Sequence, residues 1–177
     1  MEWPYHWVDV PDPQAKTSNC REQAAQLGAT AFHRGEGIAW DGSSVWFCAS
    51  TAGASGGGQI FRVTPRGDTG KIVLELEVRD RTILSSPDNV VLAPNGDLVF
   101  AEDNYELAPG VTHQHLRGMT RSGEIYNIAR NPQNDPQNNS PGAEFTGACF
   151  SPDGRFLFVN LQRPRHLTIA ITSPFSQ

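Results

Sequence analysis

Ala148-Cys149-Phe150-Ser151-Pro152-Asp153-Gly154 leads into Phe156-Leu157-Phe158-Val159: an apolar run, a turn built on Asp-Gly, and a second apolar run. Glycine takes the positive φ such a turn needs, so the stretch reads as a β-hairpin. The pattern occurs twice more upstream. Gly37-Ile38-Ala39-Trp40-Asp41-Gly42 precedes Val45-Trp46-Phe47, and Val90-Val91-Leu92-Ala93-Pro94-Asn95-Gly96 precedes Leu98-Val99-Phe100. The turn glycines Gly42, Gly96 and Gly154 therefore mark a repeat of roughly 55 residues. A third strand reads after each hairpin, at 59–63, 115–119 and 167–171, and a fourth follows the first two repeats at 71–76 and 124–128. Four antiparallel strands per repeat is the unit of a β-propeller blade.

The expectation is an all-β fold of three antiparallel four-stranded blades, the last incomplete, forming half of a six-bladed ring. Residues 1–34 read as a strand of a preceding blade at Tyr5-His6-Trp7-Val8-Asp9-Val10, a short helix and a linker. Residues 35–84 and 85–140 each make a blade, and 141–177 the incomplete final one. In the helix, Asn19 caps with Glu22 three residues on, Ala24-Ala25-Gln26-Leu27 continue, and Gly28 stops it. Propellers close with about four to eight blades. Three would leave apolar faces in water, so the chain reads as a fragment of a longer protein, ahead of a small subunit that assembles to complete the ring.

Composition removes several function classes. Fourteen Lys and Arg against 19 Asp and Glu give a net charge of −5, with no basic cluster to hold a phosphate backbone, so nucleic acid is not an expected partner. No apolar run approaches the roughly 18 residues of a spanning helix, so no membrane partner is expected either. Cys20, Cys48 and Cys149 form no C-x-x-C pair, and the runs around Cys48 and Cys149 mark both as small buried hydrophobes. His113-Gln114-His115 puts two imidazoles on one strand face without a third ligand, and reads as a half-exposed strand pair. The glycine-rich run 53–58 lacks the Gly-Lys-Ser/Thr ending of a phosphate loop. Ser50 and Thr51 belong to no nucleophile motif, and the run from Asn131 to Ser140, with its Asn138-Asn139-Ser140 sequon, is a polar loop.

An acid precedes each hairpin by an even number of residues: Glu36 lies four before Trp40, Asp88 four before Leu92, and Glu144 six before Phe150. Strand side chains alternate with period two, so the three carboxylates are expected on equivalent faces, near the mouth of a central channel. Converging carboxylates repel one another unless a cation joins them, which points to a hard metal such as calcium. Asn89, Glu102, Asp103 and Asn104 offer further oxygens in the middle repeat.

Phe32-His33-Arg34-Gly35-Glu36-Gly37, Gly58-Gln59-Ile60-Phe61-Arg62, Pro87-Asp88-Asn89, Ala101-Glu102-Asp103, Glu144-Phe145-Thr146-Gly147 and Phe158-Val159-Asn160-Leu161-Gln162 follow one another in an order that resembles the PhoX-type alkaline phosphatases. The resemblance runs to the closing Ile169-Ala170-Ile171-Thr172-Ser173-Pro174-Phe175. It implies a six-bladed propeller, exported to the periplasm or beyond by the twin-arginine route, that hydrolyses small phosphomonoesters with calcium and iron. By the same resemblance Glu36, Asp88, Glu102 and Glu144 are metal ligands, and Arg34 is the catalytic cation that grips phosphate. Two departures stand out. The family's cysteine iron ligand belongs to an N-terminal half that this chain lacks, and none of its cysteines matches. After Gln162 the family continues His-Pro-Gly, whereas this chain has Arg163-Pro164-Arg165. Other readings of the same features are a calcium-dependent lactone hydrolase of the gluconolactonase type, which Pro87-Asp88-Asn89 would suit, and a non-catalytic propeller used for binding.

Overall fold

A computed structural model of the protein describes residues 1–104, 113–132, 143–162, 166–172 and 175. The polar run over 133–140 with its sequon, and the Arg163-Pro164-Arg165 departure, lie outside them. In chain order the elements are β1 (Glu2–His6), α1 (Cys20–Gln26), β2 (Gly35–Trp40), β3 (Val45–Ala49), β4 (Gln59–Arg66), β5 (Thr69–Glu77), β6 (Pro87–Leu92), β7 (Leu98–Glu102), β8 (His115–Met119), β9 (Ile125–Arg130), β10 (Phe145–Phe150), β11 (Phe156–Leu161) and β12 (Leu167–Thr172). They form three antiparallel sheets, ordered β1-β5-β4-β3-β2, β6-β7-β8-β9 and β10-β11-β12. Each repeat read from the sequence is one sheet. Among the described residues no helix is long and apolar enough to cross a membrane.

The three hairpins stand where the turn glycines put them, with φ of 96°, 87° and 71° at Gly42, Gly96 and Gly154. Their loops are longer than two residues, because a side chain at each turn ties down the amides that follow it. Asp41 Oδ1 accepts from the Ser43 and Ser44 amides at 2.8 and 2.7 Å. Asn95 and Asp153 do the same for Asp97 and Arg155. The short helix is capped as expected, Asn19 Oδ1 accepting from the Glu22 amide at 2.9 Å.

The N-terminal strand corrects the expectation. It lies at Glu2–His6, not over 5–10, and pairs with β5 in the register Glu2↔Val73 to His6↔Thr69. The first sheet thus has five strands, and β1 is its outermost member, not a remnant of a preceding blade. The apolar Trp3 and Tyr5 find a partner in the otherwise unpaired edge of β5.

Consecutive sheets pack face to face, and β7 shows why. Leu98 and Phe100 join Cys48, Ile60 and Val90 in a core shared with the first sheet. Val99 and Ala101 join Leu116, Leu157 and Val159 in a core shared with the third. All five residues of β7 are buried, which is why that strand reads as a continuous apolar run.

The outer faces of the first and third sheets are only partly covered: on the first, Phe61 is buried and meets Phe32, but other apolar residues are exposed. Ile38 and Trp40 are 69% and 55% exposed, and Phe156 and Phe158 are 37% exposed. Cys149, read as a buried hydrophobe, is exposed. It pairs with Phe158 across β10 and β11, and the alternation that turns Ala148 and Phe150 toward the second sheet turns Cys149 outward. Cys48 is fully buried, as read.

Candidate functional site

The starts of the three first strands meet at one place. β2 lies so close to β6 that a Cβ on Gly37 would stand 2.4 Å from the Asp88 carbonyl oxygen and 2.6 Å from the Val90 amide. β10 is tied to β6 by Asn89, whose Oδ1 accepts from the Gly147 amide at 2.5 Å and from Thr146 Oγ1 at 3.2 Å. Each first strand also breaks register near its acid, between Gly35 and Ile38, between Pro87 and Asn89, and between Thr146 and Cys149. A period-two count fails across such an irregularity. The acids are still drawn together, though not from one point of the repeat: Glu36 and Asp88 lie within their breaks, and Glu144 precedes its own.

Arg34 stands at the centre. Its Nε donates to Glu36 Oε1 at 3.2 Å, and its Nη2 forms a close ion pair with Asp103 Oδ2. The residue adopts φ of 55°, a conformation a non-glycine side chain holds only when its surroundings impose it. Phe32, two residues earlier, packs edge-on against Phe47 and Phe61 at centroid distances of 5.0 and 5.1 Å and anchors the chain there.

Asp88 and Glu144 complete the group. Burial first, then the charges of Glu36 and Asp103, push the Asp88 carboxyl up to about 6, against the opposing pull of Arg34. Glu144 is raised as well, by burial, by a hydrogen bond to Asp103 and by the charges of Asp103 and Asp88. Asp88 Oδ2 accepts from Asn89 Nδ2 at 2.9 Å, and Glu144 Oε1 from Gln162 Nε2 at 2.6 Å. Asp88 Oδ1 is buried and has no hydrogen-bond partner. A buried carboxylate oxygen without a donor is costly and is the kind of atom a cation satisfies.

Arg34, Glu36, Asp88 and Glu144 are thus brought together as read from the sequence, and Glu102 is not. Glu102 is fully buried behind the site. Its Oε1 accepts from Arg117 Nε and the Ser85 amide at 3.1 and 3.0 Å, and its Oε2 from the His115 amide and ring at 3.1 and 3.2 Å. With both oxygens so engaged it holds the scaffold and does not face the cluster. His115 is absorbed by the same network, so the His-x-His pair forms no site. The acid that joins the cluster instead is Asp103, the next residue, named above only among the further oxygens.

The donor set is all hard oxygen, and one atom of it is orphaned, which fits a divalent cation such as calcium. As they stand, the acids are gathered around the guanidinium. No group of three or more His, Cys, Asp or Glu is close enough to share one ion among the described residues. Two clefts open at the opposite, turn end of the strands, one lined by Trp46, Arg62 and Arg121, the other by Asp97, Tyr126 and Phe175. Neither includes any member of the cluster.

The family model of alkaline phosphatase PhoX matches residues 3–165. Among solved structures, that of Pseudomonas fluorescens PhoX in complex with vanadate, a transition state analogue, is similar at a TM-score of 0.68 and 19% identity. The match covers 92% of this chain and 37% of that one, so the chain spans little more than a third of the length of that relative. No curated protein matches.

Proposed function

The chain belongs to the alkaline phosphatase PhoX family, and from that membership we propose that the cluster around Arg34 is the cation and phosphate site of a metal-dependent phosphomonoesterase. The observation that carries the reading is the composition of the cluster: two carboxylates ion-paired to one guanidinium and two more within reach of its charge, with Asp88 Oδ1 buried and unpartnered. Glu36, Asp88, Asp103 and Glu144 would hold divalent cations. When bound, such ions neutralise phosphate oxygens and lower the pKa of a coordinated oxygen nucleophile.

The chain's own residues do the rest. Arg34 presents a planar fork that matches two phosphate oxygens, and its partners Glu36 and Asp103 hold that fork among the carboxylates. Asn89 orients the Asp88 carboxylate while it ties β6 to β10. Gln162 does the same for Glu144.

Calcium is the cation proposed. Iron has thinner grounds: none of Cys20, Cys48 and Cys149 matches the cysteine that the resemblance gives to iron, and Cys48 is buried in the core between the first two sheets. The three sheets are read as consecutive blades of a propeller, half of a six-bladed ring, whose remaining blades would cover Ile38, Trp40, Phe156 and Phe158. The exposed apolar residues on these faces support that reading. Family membership alone supports an exported protein and a small phosphomonoester substrate. A chain that spans 37% of that relative is expected, on its own, to bind but turn over little.

Binding of inorganic phosphate in the presence of calcium, followed by calorimetry, tests the reading. The wild type binds, Arg34→Ala weakens binding at least tenfold, and Arg34→Lys recovers only part of it because the fork is lost. Equal affinity in the wild type and Arg34→Ala contradicts it.

A further inference from the structure

Ser50 follows the end of β3, is fully buried, and joins the two segments that meet at the cluster. Its amide donates to the Arg34 carbonyl at 2.9 Å, and its hydroxyl to the Pro87 carbonyl at 2.7 Å. Arg34 carries the guanidinium, and Pro87 is the residue before Asp88. Both attachment points are next to backbone in the left-handed region: Arg34 itself has φ of 55°, and Ser86, before Pro87, has φ of 49°. A conformation of that kind persists only where surrounding bonds over-determine it, and Ser50 supplies one such bond to each side.

The seam around it has no slack. A Cβ on Gly58 would stand 2.7 Å from the Pro87 ring and 3.1 Å from the Ser50 carbonyl oxygen, and one on Gly37 would stand 2.4 Å from the Asp88 carbonyl oxygen. The hydroxyl donates to a backbone carbonyl and not to a base, so it lacks the activation a nucleophile needs.

We propose that Ser50 is a positioning residue, whose two hydrogen bonds fix the separation of the Arg34 guanidinium and the Asp88 carboxylate. The inference rests on the site reading given above and deepens it: Ser50 touches neither cation nor phosphate and acts through the two residues that would.

The test compares Ser50→Ala with Ser44→Ala. Ser44 is also a buried serine, its hydroxyl 2.9 Å from Thr64 Oγ1, but it lies at the turn end of the same sheet, so its loss costs similar stability far from the cluster. Calcium affinity is measured by titration calorimetry, and amide hydrogen exchange over residues 34–37 and 87–90 is followed without calcium. Ser50→Ala is expected to bind calcium roughly five- to tenfold more weakly, the scale of one lost hydrogen bond, and to exchange faster over those residues. Ser44→Ala should match the wild type in both.

Calcium affinity in Ser50→Ala equal to that of the wild type, or lowered equally in Ser44→Ala, overturns the proposal. If the wild type itself fails to bind calcium, the site reading fails, and exchange alone decides on Ser50. Faster exchange confined to residues 34–37 and 87–90 then supports the positioning role, and unchanged exchange overturns it.

Discussion

A carboxyl group that loses water without gaining a cation holds its proton to higher pH, and Asp88 and Glu144 are both in that position. For Asp88 the folded value of about 6 lies above the ordinary 3.8. The stability it contributes is therefore fully present below about pH 3.8 and is lost as pH rises through about 6. In metal-free protein the melting temperature should fall across that window, and Asp88→Asn should flatten the fall and raise the melting temperature near neutral pH; a variant that melts below the wild type there would contradict this. At this scale the sequence pointed to Glu36, Asp88 and Glu144 as acids ahead of each hairpin, and only the family resemblance pointed to Arg34. It was not for the choice between Glu102 and Asp103, adjacent acids at the end of β7, where alternation stops and only the neighbours decide. Arg117 and His115 lie more than ten residues further along the sequence, and their claim on Glu102 leaves no trace in spacing.

At the scale of elements, each sheet is governed by a turn side chain at one end and a register break at the other. Asp41 belongs to the first kind. Burial alone would raise its pKa, but the Trp46 indole N–H and the Ser43 and Ser44 donors outweigh that and bring it to about 2. Asp41→Ala should cost about 1–2 kcal/mol, the scale of a hydrogen-bonded turn acceptor removed, read from urea denaturation; no loss would show that the loop holds itself. Glu102 is a sharper case. Removing it leaves Arg117 buried and unneutralised, so Glu102→Ala should destabilise the chain by about 3–5 kcal/mol. Were Glu102 a metal ligand instead, the variant would keep its metal-free stability and lose only its response to calcium. The turns were legible because Asp-Gly and Asn-Gly state their conformation in two residues. The register breaks were not, since Gly35-Glu36-Gly37 and Thr146-Gly147 permit a bulge without requiring one, and the close approach of β6 that exploits Gly37 is set by packing between sheets.

Across the whole molecule, a stack of three sheets has two ends, and both are apolar. Ile38 and Trp40 at one end, and Phe156 and Phe158 at the other, lie in water at a net charge of −5. Apolar patches of this kind associate. Sedimentation velocity should show association that increases with concentration and is reduced by Trp40→Glu; a monomer at all concentrations would mean that the faces are too small or too dispersed to matter. The repeat of roughly 55 residues made the stack legible, but not the place of the first strand. A lone N-terminal strand carries no label of the sheet it joins, and β1 goes to whichever edge lies unpaired, here that of β5.

In the function proposed above, Glu36, Asp88, Asp103 and Glu144 hold a cation beside Arg34. Calorimetric melting of the chain near neutral pH, with and without calcium, tests it most directly. A cation that binds only the folded state adds about 2.7 kcal/mol at a hundredfold excess over its dissociation constant, a rise of several degrees for a chain of this size. The wild type should show that rise, and Asp88→Asn and Glu144→Gln should lose most of it while remaining folded. A wild type whose melting temperature ignores calcium, or variants that respond as fully as the wild type, would contradict the account.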